Sequence, residues 1–155
     1  MKLGTKGRYA VMAMADLASH AEGRPVPLAD IADRQGISLS YLEQLFGRLR
    51  RGGLVTSARG PGGGYRLSRS PADTRVGDIV LAVDDQPQAL QCTPEHGACC
   101  ANDQEQCLTH DLWAQLGMQI QNFLNGVTLD DVLSRRIAGL GVPPVNLSAE
   151  PAAAA

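Results

Sequence analysis

Three short apolar patterns of helical period follow one another at the start of the chain, and a glycine-rich turn comes after the last of them. The patterns cover Thr5 to about His20, then 28–35, which Gly36 ends in a left-handed conformation, and then about 40–51. The third has apolar residues at i, i+3, i+4 and i+7, namely Leu42, Leu45, Phe46 and Leu49. Two helices on a tight turn, the second with a polar outer face, predict a helix-turn-helix.

The outer face of the third helix carries polar side chains of a size that suits a DNA groove. Opposite the apolar stripe lie Ser40, Gln44, Gly47 and Arg51, flanked by Tyr41, Glu43 and Arg48. Ser40 and Glu43 also have the S-x-x-E spacing of a capping box, which predicts that the helix begins at Ser40. Two interpretations of Glu43 stay open: it satisfies a backbone N–H at the helix start, or it accepts a hydrogen bond from cytosine N4.

A β-hairpin is predicted directly after this helix. Leu54 to Ala58 and Tyr65 to Leu67 have the residue types of strands, and the sequence RGPGGG at 59–64 favours a turn between them. A glycine-rich loop can also hold a phosphate, but this one lacks the G-x-x-x-x-G-K-[ST] pattern and no helix follows it. The hairpin is therefore interpreted as a wing, with Arg59 at its base placed to enter a minor groove.

The net charge of −2 hides an uneven distribution along the chain. Residues 1–75 carry a formal charge of +6 and the remaining residues −8, and the stretch 44–72 contains six arginines and no acidic residue. A solvated charged surface is one explanation for such a run. Arginine without interleaved glutamate is better explained by contact with phosphates, so double-stranded DNA is the predicted partner.

The second half of the chain predicts a separate long helix. Val76 to Val83 favours a short helix, and about 109–124 favours a long one with a broad apolar face. That face comprises Leu112, Trp113, Leu116, Ile120, Phe123 and Leu124. Packing against a second copy of the chain is the favoured way to bury it, and packing on its own domain is the alternative.

The predicted fold is mostly α with a small β-hairpin wing: a winged helix-turn-helix domain plus a long dimerisation helix. The predicted boundaries are 1–84 for the DNA-binding domain, 85–110 for a cysteine-containing loop, 109–138 for the dimerisation helix and a short C-terminal helix from Thr128, and 139–155 for a disordered tail. The longest apolar stretch, Tyr9 to Ala15, is far shorter than the ~20 residues that cross a bilayer. No A-x-A-like cleavage site follows the basic amino terminus, so we expect a cytoplasmic protein with no membrane partner.

All four cysteines lie in one short segment, at Cys92, Cys99, Cys100 and Cys107, and His110 follows. Disulfides are disfavoured because a cytoplasmic chain keeps its thiols reduced. Three thiolates and an imidazole hold either zinc or an iron-sulfur cluster, and the long intervals between the cysteines favour the cluster over a zinc knuckle. Cys-His catalysis lacks an oxyanion site and a cleft, so neither enzyme activity nor a small-molecule substrate is expected.

Residues 1–138 resemble the iron-sulfur-cluster regulators of the Rrf-type winged helix-turn-helix transcription factor family. The motifs are KGRYAV at 6–11, ISLSYLEQLF at 37–46, RGPGGGY at 59–65 and CLTHDLW at 107–113. The resemblance implies a homodimer with one 2Fe-2S cluster per subunit, held in the 85–110 loop by Cys92, Cys99 or Cys100, Cys107 and His110. It also implies DNA contacts by Ser38, Ser40, Tyr41, Glu43, Gln44 and Arg59.

The same resemblance implies a repressor, and also an activator, that controls genes for iron-sulfur cluster assembly according to cluster occupancy. The chain departs from the family in its longer loops between the cysteines, which leave Cys99 and Cys100 as candidates for the central ligand. Cys99 is favoured because Gly97-Ala98 precedes it as in the family. A nitric-oxide- or iron-responsive Rrf-type regulator is the alternative function. An iron-sulfur electron carrier is a weaker one, because it has no use for the arginine run.

Overall fold

The computed structural model describes residues 4–84 and 110–137. Along the chain lie α1 Thr5–His20, α2 Leu28–Gln35, α3 Leu39–Arg51, β1 Val55–Ala58, β2 Gly64–Leu67, a 3-10 turn Pro71–Asp73, α4 Val76–Val83, α5 His110–Gly126 and α6 Leu129–Leu133. β1 and β2 form an antiparallel hairpin with Val55 opposite Leu67 and Ala58 opposite Gly64. This mostly helical architecture confirms the predicted fold class. No helix within these two ranges is long and apolar enough to cross a bilayer.

The bounds of α2 and α4 coincide with the predicted helices at 28–35 and 76–83. Gly36 follows α2 with φ 63° and ψ 33°, and its backbone N–H donates to the carbonyl of Ala32. A side chain would strain this left-handed conformation, which is why a glycine ends the helix there. The predicted loop at 85–110 lies outside the described residues except for His110, which is the first residue of α5, and the predicted tail at 139–155 lies wholly outside them.

The predicted start of α3 at Ser40 is wrong by one residue, and the predicted capping box is absent. Ser38 is the N-cap, with an extended backbone at φ −62° and ψ 138°, and its carbonyl accepts from the backbone N–H groups of Tyr41 and Leu42, each at 3.1 Å. Ser40 already has a helical backbone inside the first turn, so it cannot take the N-cap conformation. Glu43 therefore does not have the capping role that its spacing from Ser40 suggested.

One hydrophobic core joins the first four helices. Ala10, Ala13, Met14 and Leu17 of α1 are fully buried, and the small alanines let neighbouring helices approach closely. Against them pack residues of α2, α3 and α4, among which the fully buried ones are Ile31, Leu42, Phe46, Leu49, Ile79 and Val83. The helix-turn-helix is therefore held on its apolar side by both α1 and α4.

The carboxyl end of α5 is attached to the start of α4. The N–H of Val76 donates to the carbonyl of Val127 at 2.9 Å, and the N–H of Leu129 donates to the carbonyl of Thr74 at 2.8 Å. The guanidinium of Arg75 adds a bond to the carbonyl of Asn125 at 2.5 Å. Thr128 then caps α6 through a capping box with Asp131, which confirms the predicted short helix.

Candidate nucleic-acid interface

The amino-terminal half of α3 presents a row of exposed polar side chains. Ser38, Ser40, Glu43 and Gln44 are all exposed, whereas the opposite side of the helix is buried. Glu43 makes no hydrogen bond or ion pair with any other described residue. A carboxylate with unused acceptor capacity therefore stands next to a serine hydroxyl and a glutamine amide, which together both donate and accept hydrogen bonds.

Tyr41 differs from the rest of this row because it is half-buried. Its ring meets that of Tyr9 of α1 edge to face, with centroids 5.9 Å apart and planes at 87°. This geometry is favourable for aromatic pairs, so the contact fixes the Tyr41 ring at the border of the polar face. The motif KGRYAV at 6–11 thus stabilises the position of α3 through the ring of Tyr9.

The arginines of α3 have different roles, which the sequence did not distinguish. Arg48, predicted to flank the groove-reading face, is half-buried and donates to the carbonyl of Val83 at 3.0 Å, so it ties α3 to the last residue of α4. Arg50 is exposed and makes a long bond of 3.4 Å to the hydroxyl of Ser57 in β1. Arg51 is exposed on the polar side, as predicted.

The wing is fixed to the helix-turn-helix by the segment between α1 and α2. Val26 and Tyr65 of β2 form an antiparallel bridge, with N–H···O distances of 2.9 and 2.8 Å. The ring of Tyr65 also lies against Phe46 of α3, with centroids 5.0 Å apart. Arg59 is the first residue of the turn, is exposed, and has no side-chain partner among the described residues. The hairpin that carries this free guanidinium is thus packed against α3 through Tyr65.

A buried ionic network that sequence reasoning missed orients α2. The carboxylate of Asp16 in α1 is 2% exposed and accepts from Arg34 at 2.6 and 3.1 Å and from Gln35 at 2.7 Å. Burial raises the pKa of Asp16, but the hydrogen bonds from Arg34 and Gln35 and the charges of Arg34 and His20 outweigh it and lower that pKa below its usual value. Because α2 is the first helix of the helix-turn-helix, this network sets its angle to α1.

Replacing Asp16 with asparagine should reduce the free energy of unfolding by about 2 kcal/mol at neutral pH, since hydrogen bonds to a charged group contribute that much. A carboxylate with a lowered pKa stabilises the fold fully above its unfolded pKa of about 3.9, and this contribution is lost as the pH falls through the lower folded pKa. The difference from wild type should therefore shrink below about pH 4. Urea titrations from pH 3 to 7 measure it.

Asp33→Asn is the matched control, because it removes the same charge from an exposed position of α2. It should change stability by less than about 0.5 kcal/mol at every pH. Equal destabilisation by the two variants would show that the Asp16 network does not hold α2.

The candidate cluster ligands fall almost entirely outside the described residues. Cys92, Cys99, Cys100 and Cys107 lie there, and His110 is described only as the first residue of the α5 backbone. Within 4–84 and 110–137, no group of three His, Cys, Asp or Glu side chains is arranged to hold a metal ion.

An exposed polar helix face beside a fixed wing defines the class of a winged helix-turn-helix DNA-binding protein. The family model described as Rrf2, iron-dependent transcriptional regulator, matches residues 3–135. The chain belongs to the Rrf2 family. It is accordingly a DNA-binding transcriptional regulator and not an enzyme.

Several characterised proteins are similar over most of the chain. The HTH-type transcriptional regulator IscR of Vibrio atlanticus is 54% identical over 133 residues, which are 86% of this chain and 75% of that protein. The solved structure of T. potens IscR is 39% identical with a TM-score of 0.71 and 88% coverage of each chain. CymR, the global cysteine regulator of B. subtilis, is 32% identical with a TM-score of 0.73, covering 87% of this chain and 98% of that one. The resemblance seen in the four motifs is confirmed.

Proposed function

We propose that this regulator binds double-stranded DNA with the polar face of α3 in the major groove and its wing against a minor groove. The observation that supports this proposal is the set of exposed polar side chains on the amino-terminal half of α3, whose opposite side is buried. In this arrangement Glu43 accepts from cytosine N4 and Gln44 pairs with an adenine edge. The assigned DNA contacts are Ser38, Ser40, Tyr41, Glu43, Gln44 and Arg59.

Replacing Arg59 with alanine should weaken operator binding about tenfold and lower the salt dependence by about one unit of slope. The guanidinium is free and exposed at the wing, and a narrow minor groove concentrates negative potential, so the loss should be greatest on sites with A·T-rich flanks. Anisotropy titrations at several salt concentrations measure both effects.

Arg136→Ala removes the same charge after α6, from a side chain that is 74% exposed, and should leave operator affinity unchanged. Affinity of Arg59→Ala equal to wild type on every site would remove Arg59 from the interface.

The exposed stripe of α5 supports a homodimer. We define the α5 apolar face as Leu112, Trp113, Leu116 and Phe123, each at least 36% exposed in the single chain. Among the described residues, the helix packs on its own domain near its carboxyl end, where Leu124 contacts the small cluster of Val76, Val80 and Val127. Large apolar side chains at helical spacing are covered most simply by the same face of a second copy, which also presents two recognition helices to two half-sites.

We assign a 2Fe-2S cluster to Cys92, Cys99, Cys107 and His110 within residues 85–110. The donor set fits, because thiolates and imidazole are the ligands that such clusters take in proteins. The iron dependence of the family and the IscR relatives support iron over zinc. When bound, the cluster supplies a centre whose occupancy follows the iron and sulfide available to the cell.

The described contacts offer a route from that segment to the DNA-reading face. Arg48 connects α3 to Val83, two residues before the segment begins, and Arg75 connects the start of α4 to the end of α5. A change in the position of α4 or α5 is thereby passed to α3 and alters how Glu43 meets the groove. On this basis we place the protein in the cytoplasm as a repressor, and also an activator, of genes for iron-sulfur cluster assembly.

The test begins with anaerobic purification of the full chain and an absorption spectrum. We expect the visible bands of a 2Fe-2S protein, and we expect loaded and cluster-free protein to differ in affinity for duplexes selected from a random DNA pool. A colourless protein with bound zinc would contradict the cofactor. A 2Fe-2S protein with the same DNA affinity in both forms would contradict the sensing role.

Single serine substitutions should separate the two central cysteines. Adjacent side chains leave the backbone in different directions, so we expect one of Cys99 and Cys100 to face the iron. We expect Cys100→Ser to hold a normal cluster, Cys99→Ser a labile one, and the double variant none. Iron and sulfide content measured anaerobically decides it. Loss in Cys100→Ser with retention in Cys99→Ser would reverse the assignment.

A further inference from the structure

Leu39, the first residue of α3, is the one large apolar residue of that helix that is exposed. It is 42% exposed, whereas the four stripe residues of the same helix, Leu42, Leu45, Phe46 and Leu49, are at most 2% exposed. A single exposed leucine is ordinary on a protein surface, so it is the neighbours of Leu39 that point to a ligand.

The neighbours of Leu39 are the polar residues assigned to DNA. Ser38 and Ser40 flank it along the chain, and Glu43 lies one helical turn further on, at i+4, on the same side of α3. All three are exposed. Leu39 lies three residues before Leu42 of the buried stripe and four before Glu43, so it stands at the border of the apolar and polar faces. This is the amino-terminal end of α3, the end that reaches base edges in helix-turn-helix complexes.

The major groove offers one aliphatic group to such a side chain, the C5-methyl of thymine. We propose that Leu39 contacts a thymine methyl group in each half-site and thereby specifies T at that position. This inference rests on the proposed insertion of α3 into the major groove. The hydroxyls of Ser38 and Ser40 and the carboxylate of Glu43 cannot distinguish T from U, because they read hydrogen-bonding groups that the two bases share.

The experiment removes the methyl group alone. A duplex that wild-type protein selects from a random DNA pool is resynthesised with deoxyuridine in place of each thymidine, one position at a time. Wild type should lose roughly four- to tenfold in affinity at one thymidine per half-site, the effect of one desolvated methyl group. Leu39→Ala should lose a similar factor on the unmodified duplex and show no further loss on the deoxyuridine duplex, which is the non-additivity of a direct contact.

Two variants serve as controls. Leu39→Met keeps an apolar side chain of similar volume and should retain the dependence on the methyl group. Leu81→Ala removes a leucine that is 47% exposed on α4, and it should bind both duplexes as wild type does. Because Leu39 is exposed, Leu39→Ala should unfold at the same urea concentration as wild type.

The outcomes separate this inference from the proposed function. If Leu39→Ala keeps the full wild-type loss on deoxyuridine, or if no thymidine position responds in wild type, the methyl contact is refuted while specific DNA binding stands. If wild type selects no sequence above non-specific binding, the insertion of α3 fails and the inference fails with it.

Discussion

Replacing Gly64 with alanine should lower the free energy of unfolding by roughly 2–4 kcal/mol and weaken operator binding at the same time. Gly64 is the first residue of β2, and a Cβ there would overlap the carbonyl group of Val26 and lie 2.7 Å from the nitrogen of Pro27. These are backbone atoms, so no side-chain rotation relieves the overlap. β2 must instead move away from Val26.

The size of the effect follows from what holds the wing in place. Tyr65 exchanges two backbone hydrogen bonds with Val26 and packs its ring against Phe46. Each bond contributes about 0.5–1.5 kcal/mol and the aromatic contact a similar amount, so their loss gives the expected range. Arg59 belongs to the same hairpin and moves with it, which is why DNA affinity should fall together with stability.

Gly47→Ala is the stability control for the same chemical change. No atom lies within 4 Å of a Cβ at Gly47, and the residue sits inside α3, so alanine should raise stability by up to about 1 kcal/mol. Urea unfolding at one fixed protomer concentration compares the variants, because the stability of the proposed dimer would depend on concentration. Wild-type stability of Gly64→Ala would mean that the contact between wing and Val26 is dispensable.

The bounds of α2, which has a proline before it and a glycine after it, were the most predictable part of the fold. α2 lies between Pro27, whose ring fixes φ, and Gly36, which readily takes the left-handed conformation that ends a helix. α3 began earlier than predicted, because Ser38 takes the extended N-cap backbone and Ser40 lies inside the first turn. The S-x-x-E motif at Ser40 and Glu43 did not predict this, since Ser38 takes the N-cap position without a side-chain hydrogen bond.

Contacts between distant residues could not be predicted from local patterns. The sequence analysis assigned no role to Asp16, because its partners Arg34 and Gln35 come from the next helix. Arg48 belongs to an arginine run whose overall charge indicated DNA, but its own side chain bonds to Val83. The run as a whole predicted the partner, and the geometry separates Arg48, with its bond to α4, from the free Arg59.

If the proposed α5 dimer forms, replacing Leu116 with glutamate should convert it into monomers and weaken operator binding by about two orders of magnitude. Leu116 lies at the middle of the α5 apolar face, one turn from Leu112, and is 36% exposed in the single chain. In a twofold interface the new carboxylate meets its own copy, and two desolvated like charges cost several kcal/mol. A monomer then loses the gain from linking two half-sites, which is about a hundredfold or more.

Asn122→Glu introduces the same side chain on the polar side of α5 and should remain dimeric. Sedimentation velocity measures the mass of each variant, and far-UV circular dichroism checks that the helices are kept. A dimeric Leu116→Glu protein would refute the α5 interface. A monomeric one that still binds a single half-site, with the wild-type dependence on Arg59, would show that base reading belongs to each protomer. The α5 apolar face would then raise affinity by linking two protomers, each of which makes its full set of base contacts alone.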